Sequence, residues 1–172
     1  MTMTPGVRKF MLTVHITTSV GWIGAVFAYL ALAIVTRTSQ DAEMVRAAIL
    51  ALEPIYRFAL VPLALASLLF GLVQSLGTPW GLFRHYWVLF KLFLTLLATV
   101  VLLSYAQTID SMVSRAAAAN GAGLLTLQPD LLHPGVGLLV LLLTTVLSVY
   151  KPRGVTPYGW RKQREELMGS QP

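Results

Sequence analysis

The sequence predicts an all-α membrane protein: an antiparallel bundle of four transmembrane helices, with a short outer amphipathic helix before the second span. Three observations predict it. The 172 residues are 56% hydrophobic and only 12% charged, too apolar for a domain that must solvate its own surface. Four apolar runs, at about 10–35, 55–76, 83–106 and 131–150, match the ~20 residues needed to cross a hydrocarbon core of about 30 Å. The cations are also divided unevenly. With both termini on the cytoplasmic side, Arg8, Lys9, Arg84, Lys91, Lys151, Arg153, Arg161, Lys162 and Arg164 lie inside, against Arg37, Arg46, Arg57 and Arg115 outside. That is the positive-inside bias, and it accounts for the net charge of +6 without nucleic acid as a partner. The domain division follows, with a transmembrane domain over 1–150 and a basic cytoplasmic tail over 151–172.

The first span is too long for the 7–15-residue apolar core of a cleaved signal peptide, and no small-x-small site follows it. At about 100° per residue it has two unlike faces. His15, Trp22 and Tyr29 recur every seven residues on one, with Thr18 and Ala25 beside them. Thr17, Gly21, Gly24, Ala28 and Ala31 form a stripe of small residues on the other. Small stripes let helices approach closely in lipid, so Gly21, Gly24 and Ala28 are the expected packing residues toward a second copy or a membrane partner. His15 reads in two ways, as a structural hydrogen-bonding side chain or as a ligand or proton-handling group.

After a polar break, Thr38 with Asp41 three residues on predicts a helix cap. Met44, Val45, Ala48, Ile49 and Leu52 then share an apolar stripe, predicting a helix along the outer interface or extending the second span. Glu53 and Arg57 are spaced to pair. Pro62 withholds an N–H from the carbonyl of Phe58, predicting a kink near the outer end of that span. The next connection turns at Gly77 and Pro79, and Trp80, Tyr86 and Trp87 suit an interfacial belt. Arg84, Trp87 and Lys91 line one helical face that Thr95 continues. They read as lysine snorkelling to headgroups, or as a cationic pocket for an anionic lipid headgroup or the carboxylates of a cofactor. Asn120-Gly121 stops the extension of the third span, and Pro134, Gly135 and Gly137 begin the fourth, with the glycines expected to permit close packing. The tail is basic and aromatic, which suits the surface of an anionic leaflet, and its prolines argue against a folded domain.

There is no cysteine, which excludes disulfides and thiolate metal sites. In this topology His133 lies most of a membrane away from His15 and His85, so a three-histidine metal centre is excluded for a single chain. A two-histidine axial haem site from His15 and His85 fits, with Arg84 or Lys91 near the propionates. Phosphate loops, metalloprotease motifs and nucleophile elbows are missing, and every acid lies at a span end or in a connection. The balance leans away from an enzyme.

Gly21-Trp22-Ile23-Gly24-Ala25, the run from Ser75 through Trp87, and Ser148-Val149-Tyr150-Lys151-Pro152-Arg153-Gly154 resemble an uncharacterised bacterial family of four-span integral membrane proteins. That resemblance covers nearly the whole chain and implies the fold and a bacterial inner-membrane location, with no activity attached. His15 followed by Trp22-Ile23-Gly24 is also similar to the opening helix of the copper-resistance protein D and HemJ-type protoporphyrinogen oxidase families. For the latter family this second resemblance implies haem at a span histidine. If a cofactor, haem or copper, is bound, His15 is the expected ligand, and Trp22, on the same helical face and too deep to be an interfacial anchor, is expected in the wall of the site. Three functional readings follow: a non-enzymatic component that packs with itself or a partner, a haem or copper protein using His15, and a small-molecule or lipid carrier with a pocket near Pro62 and Lys91.

Overall fold

The computed structural model describes residues 3–77 and 81–169. Trp80, one of the expected interfacial aromatics, lies outside the described residues. Helix α1, Pro5–Thr38, opens with a proline where a missing N–H costs nothing and runs for 34 residues. Its length of about 51 Å exceeds the hydrocarbon core. Trp22, Val26, Tyr29, Ala33 and Thr36 are its buried residues, so the face carrying Trp22 and Tyr29 turns inward. The opposite stripe is divided. Gly21 packs on Leu63, whereas Gly24 and Ala28 are exposed, and a Cβ at Gly24 would meet nothing within 4 Å.

The cap between the first two helices differs from the expectation. Thr38 belongs to the last turn of α1, with its hydroxyl bonded to the Ile34 carbonyl, and Asp41 itself caps α2, Ala42–Ile55. The reason is reach: the Asp41 carboxylate accepts from the amides of Glu43 (2.9 Å) and Met44 (3.4 Å), the free donors of the first turn. The amphipathic segment does not end before the second span. It passes through a π turn, Tyr56–Leu60, into α3, Val61–Leu76. In that turn the amide of Val61 bonds to the Tyr56 carbonyl, so the backbone absorbs the missing proline donor by widening one turn just before Pro62.

The third span is α4, Tyr86–Ser104, extended almost without interruption by α5, Ala106–Ala118. Gly121, at φ +52°, breaks the chain after it as Asn120-Gly121 predicts. A short turn, α6, Ala122–Leu125, leads toward α7, Leu132–Tyr150, which stops at Lys151 in the left-handed region (φ 44°) before Pro152. The tail carries one helix, α8, Pro157–Gly169. Pro157 stands at its start, and the Thr156 hydroxyl accepts from the Gly159 amide (3.0 Å) as the cap. Pro157 therefore begins a helix, whereas Pro152 lies in the non-helical stretch before it.

Four helical stretches, Pro5–Thr38, Ala42–Leu76, Tyr86–Ala118 and Leu132–Tyr150, are long and apolar enough to cross a membrane. Helix α1 packs against α3 and α7, and α4 packs against the same two. The four form a ring with α1 and α4 on the diagonal. One apolar core, including Trp22, Tyr29, Leu52, Tyr56, Leu60, Ile109 and Leu141, fills the middle. A second, around Val45, Ile49, Ala116 and Leu124, closes the end farthest from the termini. The outer surface stays greasy: Val20 is 62% exposed, Phe58 81% and Phe93 60%, an arrangement satisfied by acyl chains. At the far end Arg57 bonds both Glu53 (2.9 Å), as spacing predicts, and Asp110 (2.7 Å).

A cationic cavity as candidate functional site

At the end of the bundle where α1 begins and α7 stops, the ring of helices does not close. A cavity of about 700 Å³ opens between α1, α3, α4 and α7. Four cationic residues line it, Arg8 and Lys9 from α1, Lys91 from α4 and Lys151 after α7, and among the described residues no carboxylate does. Lys91 sits five residues into α4, about 7–8 Å along its axis, and its ammonium donates to Ser148 Oγ (2.7 Å). Ser148 in turn donates to the Thr144 carbonyl (2.8 Å). One serine hydroxyl engages one of the ammonium's three N–H donors.

His15 forms the facing wall. Its Nδ1 lies 3.1 Å from the Ser67 carbonyl of α3, an acceptor, so the proton sits on Nδ1 and donates. The Ser19 and Ser67 hydroxyls bond at 2.7 Å beside it. The ring lies against Gly71, where a Cβ would stand 2.8 Å from His15 Cε1. Only glycine leaves room for the imidazole on α3. The buried Oε1 of Gln74, in the same wall, has no hydrogen-bond partner among the described residues.

Of the residues singled out from the sequence, His15, Trp22, Trp87, Lys91 and Thr95 come together in this cavity. Two do not join them. His85 caps the start of α4 and pairs with Val155 in an isolated antiparallel bridge, with Trp87 at 6.4 Å between ring centroids. Arg84 is turned to the tail, where it bonds Glu166 of α8 at 2.6 Å. Ser67, Gly71, Gln74 and Ser148 escaped sequence reasoning. Their signal was present: Ser67, Gly71 and Gln74 are spaced four and three apart on one face of an otherwise apolar helix, and Thr144 and Ser148 are four apart on another.

Trp22, only 3% exposed, lines a second cavity as well. This one holds about 390 Å³ in the other half of the bundle, and Trp22 and Leu141 belong to the walls of both. Its lining is apolar apart from Tyr29, Tyr56, Tyr105 and His133. Pro134 and Gly137 also border it, and a Cβ at Gly135 or Gly137 would meet nothing within 4 Å. The two glycines thus leave space beside α7 where close packing was expected. Just outside the span, Asp130 accepts from the Tyr105 hydroxyl (2.9 Å), the Leu132 amide (2.7 Å) and the His133 ring. Burial alone would raise its carboxyl, but the bonds from His133, Leu132 and Tyr105 prevail and hold it at about 2.

No protein-family model, curated protein or solved structure matches this chain. Its chemistry therefore rests on the side chains themselves. Among the described residues no three or more histidines, aspartates and glutamates gather where they could hold a metal ion. The larger cavity offers positive charge, hydroxyls and an apolar floor that includes Ile23 and Leu141. Such a lining suits an anionic group attached to an apolar body.

Proposed function

We propose that this multi-pass membrane protein binds an amphiphile with an anionic headgroup in the cationic cavity, as a non-enzymatic carrier or receptor of the inner membrane. The observation that carries the reading is the convergence of Arg8, Lys9, Lys91 and Lys151 on one cavity with no carboxylate among the described residues that line it. The half-buried Lys91 ammonium is held by one hydroxyl, which is costly in an apolar bundle, and an anion supplies a counter-charge. The apolar floor below it receives the first methylenes of the tail. Anionic lipid of the cytoplasmic leaflet has this chemistry.

The test is binding of phosphatidylglycerol against phosphatidylcholine, followed by thermal shift on detergent-purified protein. Phosphatidylglycerol should raise the unfolding temperature, and Lys91→Met should weaken its binding by roughly 10–100-fold, the worth of one charge-assisted hydrogen bond. Equal response to both lipids, or an unchanged affinity in Lys91→Met, would overturn the reading. A second reading, haem or copper at His15, is favoured by one observation: the Nδ1 bond to Ser67 leaves Nε2 as the unprotonated ring nitrogen. An absorbance spectrum with metal analysis of the same preparation separates the two. A Soret band or stoichiometric copper that disappears in His15→Ala would place the second reading first.

A further inference from the structure

The second cavity lies beyond the Trp22 and Leu141 wall, and what it holds does not depend on the reading of the first. Three tyrosines line it, and two have spent their hydroxyls: Tyr56 donates to the Leu102 carbonyl (2.8 Å) and Tyr105 to Asp130 (2.9 Å). Tyr29 has not. It is 4% exposed, and its hydroxyl makes no hydrogen bond among the described residues. Water from the bulk is far away in a membrane, so this donor is left for something that enters the cavity.

At the outer end of the same cavity stands His133. The Asp130 carboxylate accepts a hydrogen bond from its Nδ1, an orientation in which Nε2 is the ring nitrogen turned away from Asp130. The Tyr105 ring lies against it at 4.9 Å between centroids. The way in is lateral. Leu97 of α4 and Leu132 and Val136 of α7 line the cavity and are also exposed, at 48%, 69% and 49%. The side-chain-free surface of Gly137 borders the same gap. An occupant therefore arrives from the lipid phase, and its size is bounded by about 390 Å³.

We infer that this cavity is a binding site for a lipid-soluble quinol or similar phenol, whose ring oxygen accepts from Tyr29 and whose hydroxyl donates to Nε2 of His133. An aliphatic chain fills the space but leaves Tyr29 unsatisfied. A charged headgroup is excluded by the apolar lining. A flat aromatic ring also stacks against the cavity's own rings, Trp22, Tyr56 and Tyr105.

The test uses full-length protein in lipid nanodiscs and tritiated decylubiquinol, kept reduced, with empty nanodiscs as the partition control. Saturable retention near one molecule per chain is expected, and Tyr29→Phe and His133→Leu should each weaken it about five- to tenfold, the loss of one hydrogen bond. Tyr29→Phe removes an oxygen that has no partner, so the ligand-free variant should unfold at the same temperature as the parent or higher. Decylbenzene, equally apolar but without oxygen, should not compete. The inference is overturned if nothing is retained above empty nanodiscs, if both variants bind as the parent does, or if decylbenzene displaces the quinol, which would make the cavity a slot for acyl chains only.

Discussion

His15 and Gly71 show what one residue can decide in this bundle. The imidazole reaches Ser67 across the α1–α3 contact only because position 71 carries no side chain, and a Cβ there would come within 2.8 Å of the ring. Gly71→Ala should therefore push His15 off α3 and lower the unfolding temperature by on the order of 2–10 °C, as overpacking does. Gly24→Leu is the matched control, since nothing lies within 4 Å of the added Cβ. It should leave the unfolding of a single chain unchanged, and crosslinking in native membranes then reads whether Gly24 serves association between copies. Equal unfolding temperatures for parent and Gly71→Ala would mean that His15 has another resting place. The sequence shows the His15–Trp22–Tyr29 face, because a period of seven survives in any helix. It does not show that Gly71 and Ser67 receive His15, because which helices become neighbours is a property of the ring.

At the scale of elements, legibility follows from whether the backbone or the neighbours set the boundary. Asn120-Gly121 stops a helix by its own conformational preference and was readable. Thr38 and Asp41 both suit a cap, and only the course of α1 through Thr38 decides between them. The tail misleads for a related reason. Thr156-Pro157 is a sound helix start, but a helix of this composition needs something to dock on, and that surface is the α3–α4 connection. There Thr156 donates from its hydroxyl to the Phe83 carbonyl (2.5 Å) and from its amide to the Arg84 carbonyl (2.9 Å), and Tyr86 donates its amide to Gly154 (3.2 Å). Thr156→Val removes both the docking hydroxyl and the cap, a loss of about 1–2 kcal/mol that raises the undocked population roughly 5–30-fold. Tryptic cleavage after Arg161 or Lys162 should accelerate by the same factor. Unchanged cleavage would show that α8 is held by other contacts, the Arg84–Glu166 pair first among them.

For the whole molecule, the antiparallel ring places the starts of α1 and α4 and the ends of α3 and α7 at one end, and the α1–α2 and α5–α7 connections at the other. The fold class was legible because a long apolar run has few options in water or lipid, whereas the cavities arise from small and polar residues on four separate helices that no single periodicity reveals. Charge separates the ends as well, with nine cations of the sequence at the first and four at the second. Lys91, Arg8, Lys9 and Lys151 belong to the richer end, so orientation also decides which leaflet the cationic cavity faces. Translocating that end would carry the larger charge against the membrane potential, which predicts that it stays in the cytoplasm. Fusions of alkaline phosphatase and green fluorescent protein at Gly6, Gln40, Gly77, Asn120 and the C-terminus measure this directly. Phosphatase should be active only at Gln40 and Asn120, and fluorescence should appear only at Gly6, Gly77 and the C-terminus. The same sidedness at Gln40 and Gly77 would break the four-span arrangement itself, while a complete inversion would keep the bundle and turn the cationic cavity toward the outer leaflet, where anionic headgroups are scarcer.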